Sequence, residues 1–106
     1  MRRFGILLAA MAVALAVSIG VASGSGHSVT ARNYHFTAKT ITVHKGDKVT
    51  WTSAQGKHSV TLANGSLNKV IKKGQSASKK FQHTGTFRYY CRFHKDLGMR
   101  GKVVVE

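Results

Sequence analysis

One segment, residues 85–105, reads GTFRYYCRFHKDLGMRGKVVV and sets the architecture expected for this chain. Its first part alternates, so that Phe87, Tyr89 and Cys91 share one face of a β-strand and the residues between them share the other. Residues 101–106, at the end of the chain, are rich in valine and predict a second strand. We therefore expect two strands joined by a short loop, with Cys91 at the inward-facing end of the first strand.

The sequence upstream of this segment also alternates in short runs that are separated by glycine, asparagine and serine. Residues 40–43, 48–52 and 59–62 each have the period-two pattern of a half-buried strand, and a further strand is expected around Phe81. The first two runs are expected to form a hairpin-like unit. The intervening turn signals are Lys45-Gly46-Asp47, Asn64-Gly65, Lys72-Lys73-Gly74 and His83-Thr84-Gly85. This organisation predicts an all-β sandwich whose core contains Trp51, Phe81, Phe87 and Tyr89.

The N-terminal residues 1–26 differ in composition from the rest of the chain. Two arginines precede an uncharged, mostly apolar run from residue 4 to residue 21, and small residues end the segment. This pattern is typical of a secretory signal peptide, with an uncleaved N-terminal anchor as the alternative. We therefore expect residues 27–106 to form one small exported domain, in a periplasmic or extracellular location.

The chain is strongly basic. Without residues 1–26, fifteen Lys or Arg residues stand against three acids, a net charge of +12. The basic residues are dispersed, and an exported protein rarely meets nucleic acid, so nucleic-acid binding is not expected. The expected partners are redox proteins with acidic docking surfaces and an anionic membrane surface, and the domain is expected to be a monomer.

Four residues carry the chemistry of a metal site. Cys91, His94 and Met99 lie within nine residues of each other, and His58 precedes Cys91 by 33 positions. One thiolate, two imidazoles and one thioether form the ligand set of a mononuclear blue-copper site, with a trigonal His, His, Cys plane and a long axial Met. The sequence therefore predicts that these four residues bind one copper ion that cycles between Cu(I) and Cu(II).

Each of these residue types also has more ordinary roles. A single Cys or Met usually fills a core, and a single His usually lies at the surface. Zinc is a further alternative because it is bound by Cys and His, although the methionine argues against it. The ordinary roles lose weight when the spacing Cys-x2-His-x4-Met occurs together with an upstream His in an exported, β-rich chain.

The other four histidines are not expected to belong to this site. His44 and His83 lie beside turns and His27 lies in the N-terminal tail, so all three are expected to be exposed. His35 is expected to point away from its two aromatic neighbours. A weak second copper site built from His27 and a processed N-terminus is an alternative.

Several motifs together carry a family resemblance. They are Tyr34-x-Phe36, Ile41-x-Val43, Gly46-Asp47-x-Val49-x-Trp51, His58-x-Val60, Gly85-Thr86-Phe87-x-Tyr89-x-Cys91-x2-His94 and Met99-x-Gly101-x-Val103-Val104-Val105. In these motifs the chain resembles the cupredoxins of the plastocyanin and amicyanin type. The resemblance implies a Greek-key β-sandwich with His58, Cys91, His94 and Met99 as copper ligands. It also implies outer-sphere electron transfer through the exposed ring edge of His94, with Cys91 as the covalent path inward.

The chain departs from that family's pattern at several positions. Proline is absent, so that Phe93 stands where the family usually has proline before the second histidine, and Ala38 stands at another such position. Ser59 follows His58 where the family often has asparagine, which alters the hydrogen bonding around the ligands. Phe93 and Leu97 flank His94 and are expected to form an apolar docking patch. Its expected rim consists of Lys57, Arg92, Lys95 and Arg100.

These observations favour an exported blue-copper protein that carries one electron between redox partners and is not an enzyme. A copper-binding or copper-delivery protein is the first alternative, because both functions need affinity for Cu(I). An oxidase module would need further metal ligands, and a dinuclear oxidase-type centre would need two cysteines where the chain has one. A metal-free adhesive domain that acts through its positive charge is the last alternative.

Overall fold

The computed structural model describes residues 24–106. Residues 1–23, which contain most of the expected signal segment, lie outside the described residues. The described strands are β1 (Gly26–Arg32), β2 (His35–Phe36), β3 (Thr40–Val43), β4 (Lys48–Ser53), β5 (His58–Leu62), β6 (Asn68–Ile71), β7 (Ser76–Lys80), β8 (Gly85–Tyr90) and β9 (Arg100–Val105), with a single 3₁₀ turn at Lys95–Leu97. Within this part of the chain, no helix is long and apolar enough to cross a membrane.

The strands form two sheets that pack face to face. One sheet has five strands in the order β3-β9-β8-β5-β6, and the other has four in the order β2-β1-β4-β7. β9 pairs with β3 and β1 pairs with β4 in parallel, whereas the other pairs are antiparallel. Neighbouring strands are mostly distant in sequence, as in a Greek-key sandwich. The prediction of an all-β sandwich is confirmed.

The expected hairpin-like unit of β3 and β4 is wrong. β3 pairs with β9 in the five-stranded sheet, whereas β4 lies between β1 and β7 in the other sheet. The turn between them carries the chain from one sheet to the other. Asp47 stabilises this crossing because its carboxylate accepts the backbone N–H of His44 at 2.9 Å and that of Ser25 at 2.8 Å.

The same carboxylate also binds the N-terminal strand. The Nε2 atom of His27 lies 2.9 Å from Asp47 Oδ2, and the His27 side chain is half-buried. The expectation that His27 lies exposed in a tail is therefore wrong, because the residue belongs to β1 and is held by Asp47. The hydrogen bonds from Ser25, His44 and His27 lower the pKa of Asp47 from 3.8 to about 2.

An aromatic core fixes the strand that leads into Cys91. Trp51, Phe81 and Tyr89 are buried as predicted, and Phe87 packs at the edge of the core. The Tyr89 ring makes edge contacts with Trp51 at 5.2 Å and with Phe36 at 4.9 Å between ring centroids. Because the Tyr89 ring packs against Trp51 and Phe36 of the other sheet, the end of β8 has a fixed position in the five-stranded sheet.

Candidate metal centre

Two neighbouring strands bring the predicted ligands to one end of the sandwich. β5 begins at His58, and β8 ends directly before Cys91. β5 and β8 are hydrogen-bonded neighbours in the same sheet, so residues 33 positions apart in sequence meet there. The loop from Cys91 to Met99 then supplies the other predicted ligands before β9 begins.

Hydrogen bonds fold this loop back on itself. The N–H of Cys91 donates to the carbonyl of Met99 at 3.0 Å, and the N–H of Met99 donates to the carbonyl of His94 at 3.2 Å. Gly98 has a φ of 85°, a left-handed conformation that favours glycine and lets the loop return. Met99 and Cys91 are both fully buried. The loop thus returns Met99 to the level of Cys91.

Three of the four predicted ligands converge on one point. The Cys91 Sγ atom lies 3.9 Å from His58 Nδ1 and 3.5 Å from His94 Nδ1. The ligand atoms of these three residues all lie within 4.8 Å of one another. His58 and Cys91 are buried, and His94 is half-buried.

These distances agree with a trigonal metal site. Bonds of about 2.0 Å to an imidazole nitrogen and about 2.3 Å to a thiolate sulfur, at a trigonal angle, place nitrogen and sulfur about 3.7 Å apart. The two measured separations, 3.9 Å for His58 and 3.5 Å for His94, lie on either side of that value. The donor set of two imidazoles and one thiolate therefore fits a single copper ion.

A backbone carbonyl sets the protonation of the His58 ring. The Nε2 atom of His58 lies 2.5 Å from the carbonyl oxygen of Gln55, which can only accept a hydrogen bond. Nε2 therefore carries the proton, and the lone pair of the neutral ring is on Nδ1, the atom that faces Cys91. Burial lowers the pKa of His58 and the neighbouring His94 lowers it further, whereas the bond to Gln55 opposes them. The neutral ring that a metal requires is thus favoured.

Ser59 connects the His58 strand to the ligand loop. Its backbone N–H donates to Cys91 Sγ at 3.4 Å, and its buried hydroxyl accepts the N–H of Arg92 at 2.7 Å. The hydroxyl also lies 3.0 Å from Thr61 Oγ1, which donates to Asn68 Oδ1 at 3.0 Å. A serine hydroxyl therefore braces the ligand loop at the position where the resemblance leads one to expect asparagine.

The ring of His94 lies at a concavity of about 590 Å³ at the end of the sandwich. Phe93 and Leu97 are exposed beside it, 43% and 64% respectively, as expected for an apolar patch. Lys57 and Arg92 lie over the Phe93 ring at 5.0 and 5.5 Å from its centroid. The predicted rim residues Lys57, Arg92, Lys95 and Arg100 are all exposed, but Lys95 and Arg100 line a separate concavity together with Arg88.

Two residues of this end were missed by sequence reasoning. Tyr34, which is 56% exposed, makes an edge contact with the His94 ring at 5.0 Å between centroids. It arrives from the turn between β1 and β2, and nothing in its local sequence points to His94. Gln55 acts through its main-chain carbonyl, so its residue type carries no signal of this role.

The comparison with known proteins places this geometry in a family. Residues 24–106 match the family described as copper binding proteins, plastocyanin/azurin family. The chain is similar to chloroplastic plastocyanin of Tetradesmus obliquus, with 30% identity over 115 aligned positions that cover 96% of this chain and 74% of that protein.

Comparison with solved structures supports the same family. The fold is similar to a reduced amicyanin mutant, with 34% identity and a TM-score of 0.69 over 76% of this chain and 82% of that chain. It is also similar to amicyanin from Paracoccus versutus, with 25% identity and a TM-score of 0.69 over 76% of this chain and 81% of that one. With a matching sequence, a matching sandwich and a His, Cys, His cluster that fits one type 1 copper ion, this chain belongs to the plastocyanin/azurin family of copper-binding proteins.

Proposed function

We propose that this protein is an exported one-electron carrier that binds one copper ion through His58, Cys91, His94 and Met99. The observation that carries the proposal is the convergence of His58, Cys91 and His94 within 4.8 Å, with only His94 reaching the surface among the three. A buried site with one ligand at the surface can exchange electrons while water and other ligands stay excluded.

Bound copper supplies the one-electron exchange between Cu(I) and Cu(II). The residues of the chain keep the geometry constant during that exchange. Gln55 fixes the His58 ring, and the hydroxyl of Ser59 fixes the loop that follows Cys91. Ligands that are held by the fold need little reorganisation when the charge of the metal changes, so electron exchange is fast.

His94 provides the path between the metal and a partner. Its Nδ1 atom faces Cys91 Sγ, while the rest of the ring lies between Tyr34 and Phe93 at the concavity. An apolar centre with a basic rim is suited to a redox protein whose docking surface has an apolar centre and an acidic rim. We propose that such partners bind at this end of the sandwich.

The first test is the visible spectrum of the copper-loaded protein. The native protein should gain an intense absorption band on titration with Cu(II), with one ion per chain. The Cys91→Ser variant should lose that band, because the transition transfers charge from the thiolate to copper. An unchanged band in Cys91→Ser would refute the ligand assignment.

Redox cycling separates a carrier from a copper-delivery protein. The carrier should pass through repeated cycles of a chemical oxidant and reductant with constant copper occupancy. Release of Cu(I) to a competing chelator during each cycle would instead support delivery.

We also propose that any cleavage of the N-terminal segment during export leaves Ser25 in the mature protein. The N–H of Lys48 donates to the carbonyl of Ser25 at 2.9 Å, and Asp47 accepts the N–H of Ser25 at 2.8 Å, so Ser25 contributes to the fold. The mass of the mature protein tests the boundary. A mature chain that begins after Ser25 would contradict the proposal.

A further inference from the structure

The outer face of the five-stranded sheet has a cluster of positive charge on β8 and β9. Arg88 and Lys102 lie directly opposite each other on these strands, and Arg100 lies opposite Tyr90. Lys95 adds a fourth cation, with its Nζ atom 5.0 Å from the centroid of the Tyr90 ring. We call Arg88, Tyr90, Lys95, Arg100 and Lys102 the Arg88 face.

Within residues 24–106, no carboxylate forms an ion pair with this cluster. None of the five strands of this sheet contains Asp or Glu. The contact between a carboxylate and a basic side chain that the structure gives in this part of the chain joins His27 to Asp47, outside this sheet. Like charges directly opposite each other on neighbouring strands destabilise a sheet. With Lys95 and Arg100 beside it, the opposed pair of Arg88 and Lys102 concentrates four cations, which favours an anion that binds from outside the chain.

The shape of the face suits phosphate groups. A concavity of about 420 Å³ lies beside Asn64, Arg88 and Lys102, and a second one of about 320 Å³ lies beside Arg88, Lys95 and Arg100. Arg88 thus borders both. Arginine binds phosphate through two parallel hydrogen bonds and is preferred over lysine for that geometry.

The composition of the face argues against a protein partner. The centres of protein interfaces are apolar and depleted of charge. The end of the sandwich around His94 has that composition, with Tyr34, Phe93 and Leu97 exposed. The Arg88 face instead has four cations and one half-buried tyrosine. No residue that lines the concavity at His94 also lines either of the other two.

From these observations we infer that the Arg88 face binds the surface of an anionic phospholipid bilayer. The phosphate groups of the lipids neutralise Arg88 and Lys102 and occupy the two concavities. Because the concavity at His94 has a separate lining, the protein can remain on a bilayer while a redox partner occupies His94. The inference depends on the sheet and its charges, so it can fail without the proposed electron-carrier function failing.

Sedimentation with vesicles tests this inference on the full, copper-loaded chain. Phosphatidylcholine vesicles with roughly 30% phosphatidylglycerol are compared with pure phosphatidylcholine vesicles at about 0.1 M salt. Each basic residue near an anionic bilayer strengthens binding about fivefold, so Arg88→Gln with Lys102→Gln should weaken binding about 25-fold. Residues 1–23, with Arg2 and Arg3, are unchanged in every variant, so binding through that segment does not contribute to a difference between variants.

A matched control is available on the other sheet. Lys48 and Lys80 also lie directly opposite each other, and Lys48→Gln with Lys80→Gln removes the same charge. This control should lose less than about threefold. Equal losses in the two double variants would show that net charge alone governs binding and would overturn the inference. No loss in either variant, or equal binding of the native protein to neutral vesicles, would also overturn it.

The visible spectrum of each loaded variant reports whether its fold is intact. If the Arg88 and Lys102 double variant does not fold, Lys102→Gln alone should weaken binding about fivefold. Binding of an acidic protein by this face without binding to the anionic vesicles would replace the proposed partner and count against the inference.

Discussion

The two histidines of the site differ in what holds the part of the ring that faces away from Cys91. His58 is buried and donates its Nε2 proton to the Gln55 carbonyl, so its ring cannot turn without losing that hydrogen bond. His94 is half-buried and lies between the aromatic rings of Tyr34 and Phe93. The first histidine therefore anchors the site, and the second connects it to the surface.

Met99 is another single residue of the site, and its role can be tested by one replacement. Met99→Leu nearly conserves the volume of a fully buried side chain, so the cost in stability should be below about 1.5 kcal/mol. The colour should remain, because Cys91 and both histidines are unchanged. The reduction potential, measured by voltammetry, should rise because a weak axial donor that favours Cu(II) is lost. An unchanged potential would mean that Met99 is not the axial ligand.

Ser59 offers a second test of a single side chain. Ser59→Ala leaves the N–H of Arg92 without its acceptor inside the protein. A typical internal hydrogen bond contributes about 0.5 to 1.5 kcal/mol, and the free energy of unfolding in urea should fall by about that amount. The copper band should also shift, because the loop after Cys91 loses its brace. Ser28→Ala, at an exposed position of β1, is the control, and an equal effect of both changes would contradict this role.

At the scale of the strands, sequence patterns predicted what is local. The alternation that ends at Cys91 gave the inward face of β8 correctly, because the period of a strand depends only on neighbouring residues. The pairing of β3 with β4 was predicted wrongly, because the turn at Lys45-Gly46-Asp47 indicates that the chain changes direction but not which sheet it enters. The position of β4 depends on its pairing with β1 and β7, which lie far away in sequence.

In the candidate site too, local features were predicted from the sequence and contacts between distant residues were not. Cys91 and His94 come from one loop, and their spacing alone predicted that they meet, as the structure confirms. His58 was predicted from the ligand set of a blue-copper site, but the sequence did not show that β5 lies next to β8. Tyr34 and Gln55 could not be predicted, because one contact is made across the fold and the other is made by the main chain.

Asp47, in the turn that carries the chain from β3 to β4, predicts how the stability of the protein depends on pH. The pKa of Asp47 is about 2 in the folded protein and 3.8 without the fold, so the unfolded chain takes up the proton first on acidification. The stabilisation by Asp47 is therefore complete above about pH 4 and is lost between about pH 4 and pH 2. Thermal unfolding of the native protein and of Asp47→Asn should show a difference in Tm that disappears across this interval.

Asp96 provides the control for this measurement, because it is an exposed acid on the 3₁₀ turn. Asp96→Asn should leave the acid dependence of Tm nearly as in the native protein. If Asp47→Asn lost stability with the same pH profile as the native protein, the carboxylate at the crossing would not be the group responsible.

At the scale of the whole molecule, the two sheets and the end at His94 present different kinds of surface. Fifteen basic residues of the folded part stand against three acids, and one of those acids, Asp47, is buried. The potential is therefore positive over both sheets, and what distinguishes the end at His94 is its exposed aromatic and aliphatic side chains. Charge can attract a partner from a distance, whereas those side chains select where it docks.

These separate roles of charge and of the exposed side chains at His94 predict how the rate of electron transfer depends on salt concentration. The rate constant for reaction with an acidic redox protein should fall about 10- to 1,000-fold as ionic strength rises from about 0.01 M to about 0.5 M, because screening removes the attraction. The measurement is a stopped-flow reaction followed at the copper band. Lys57→Gln with Arg92→Gln, at the rim of His94, should lower the rate at low salt more than Lys48→Gln with Lys80→Gln. The latter pair removes the same charge at the start of β4, the end of that strand far from the turn that leads to His58. Equal effects would mean that overall charge governs the encounter, and a rate that does not change with salt would mean that charge does not guide docking at all.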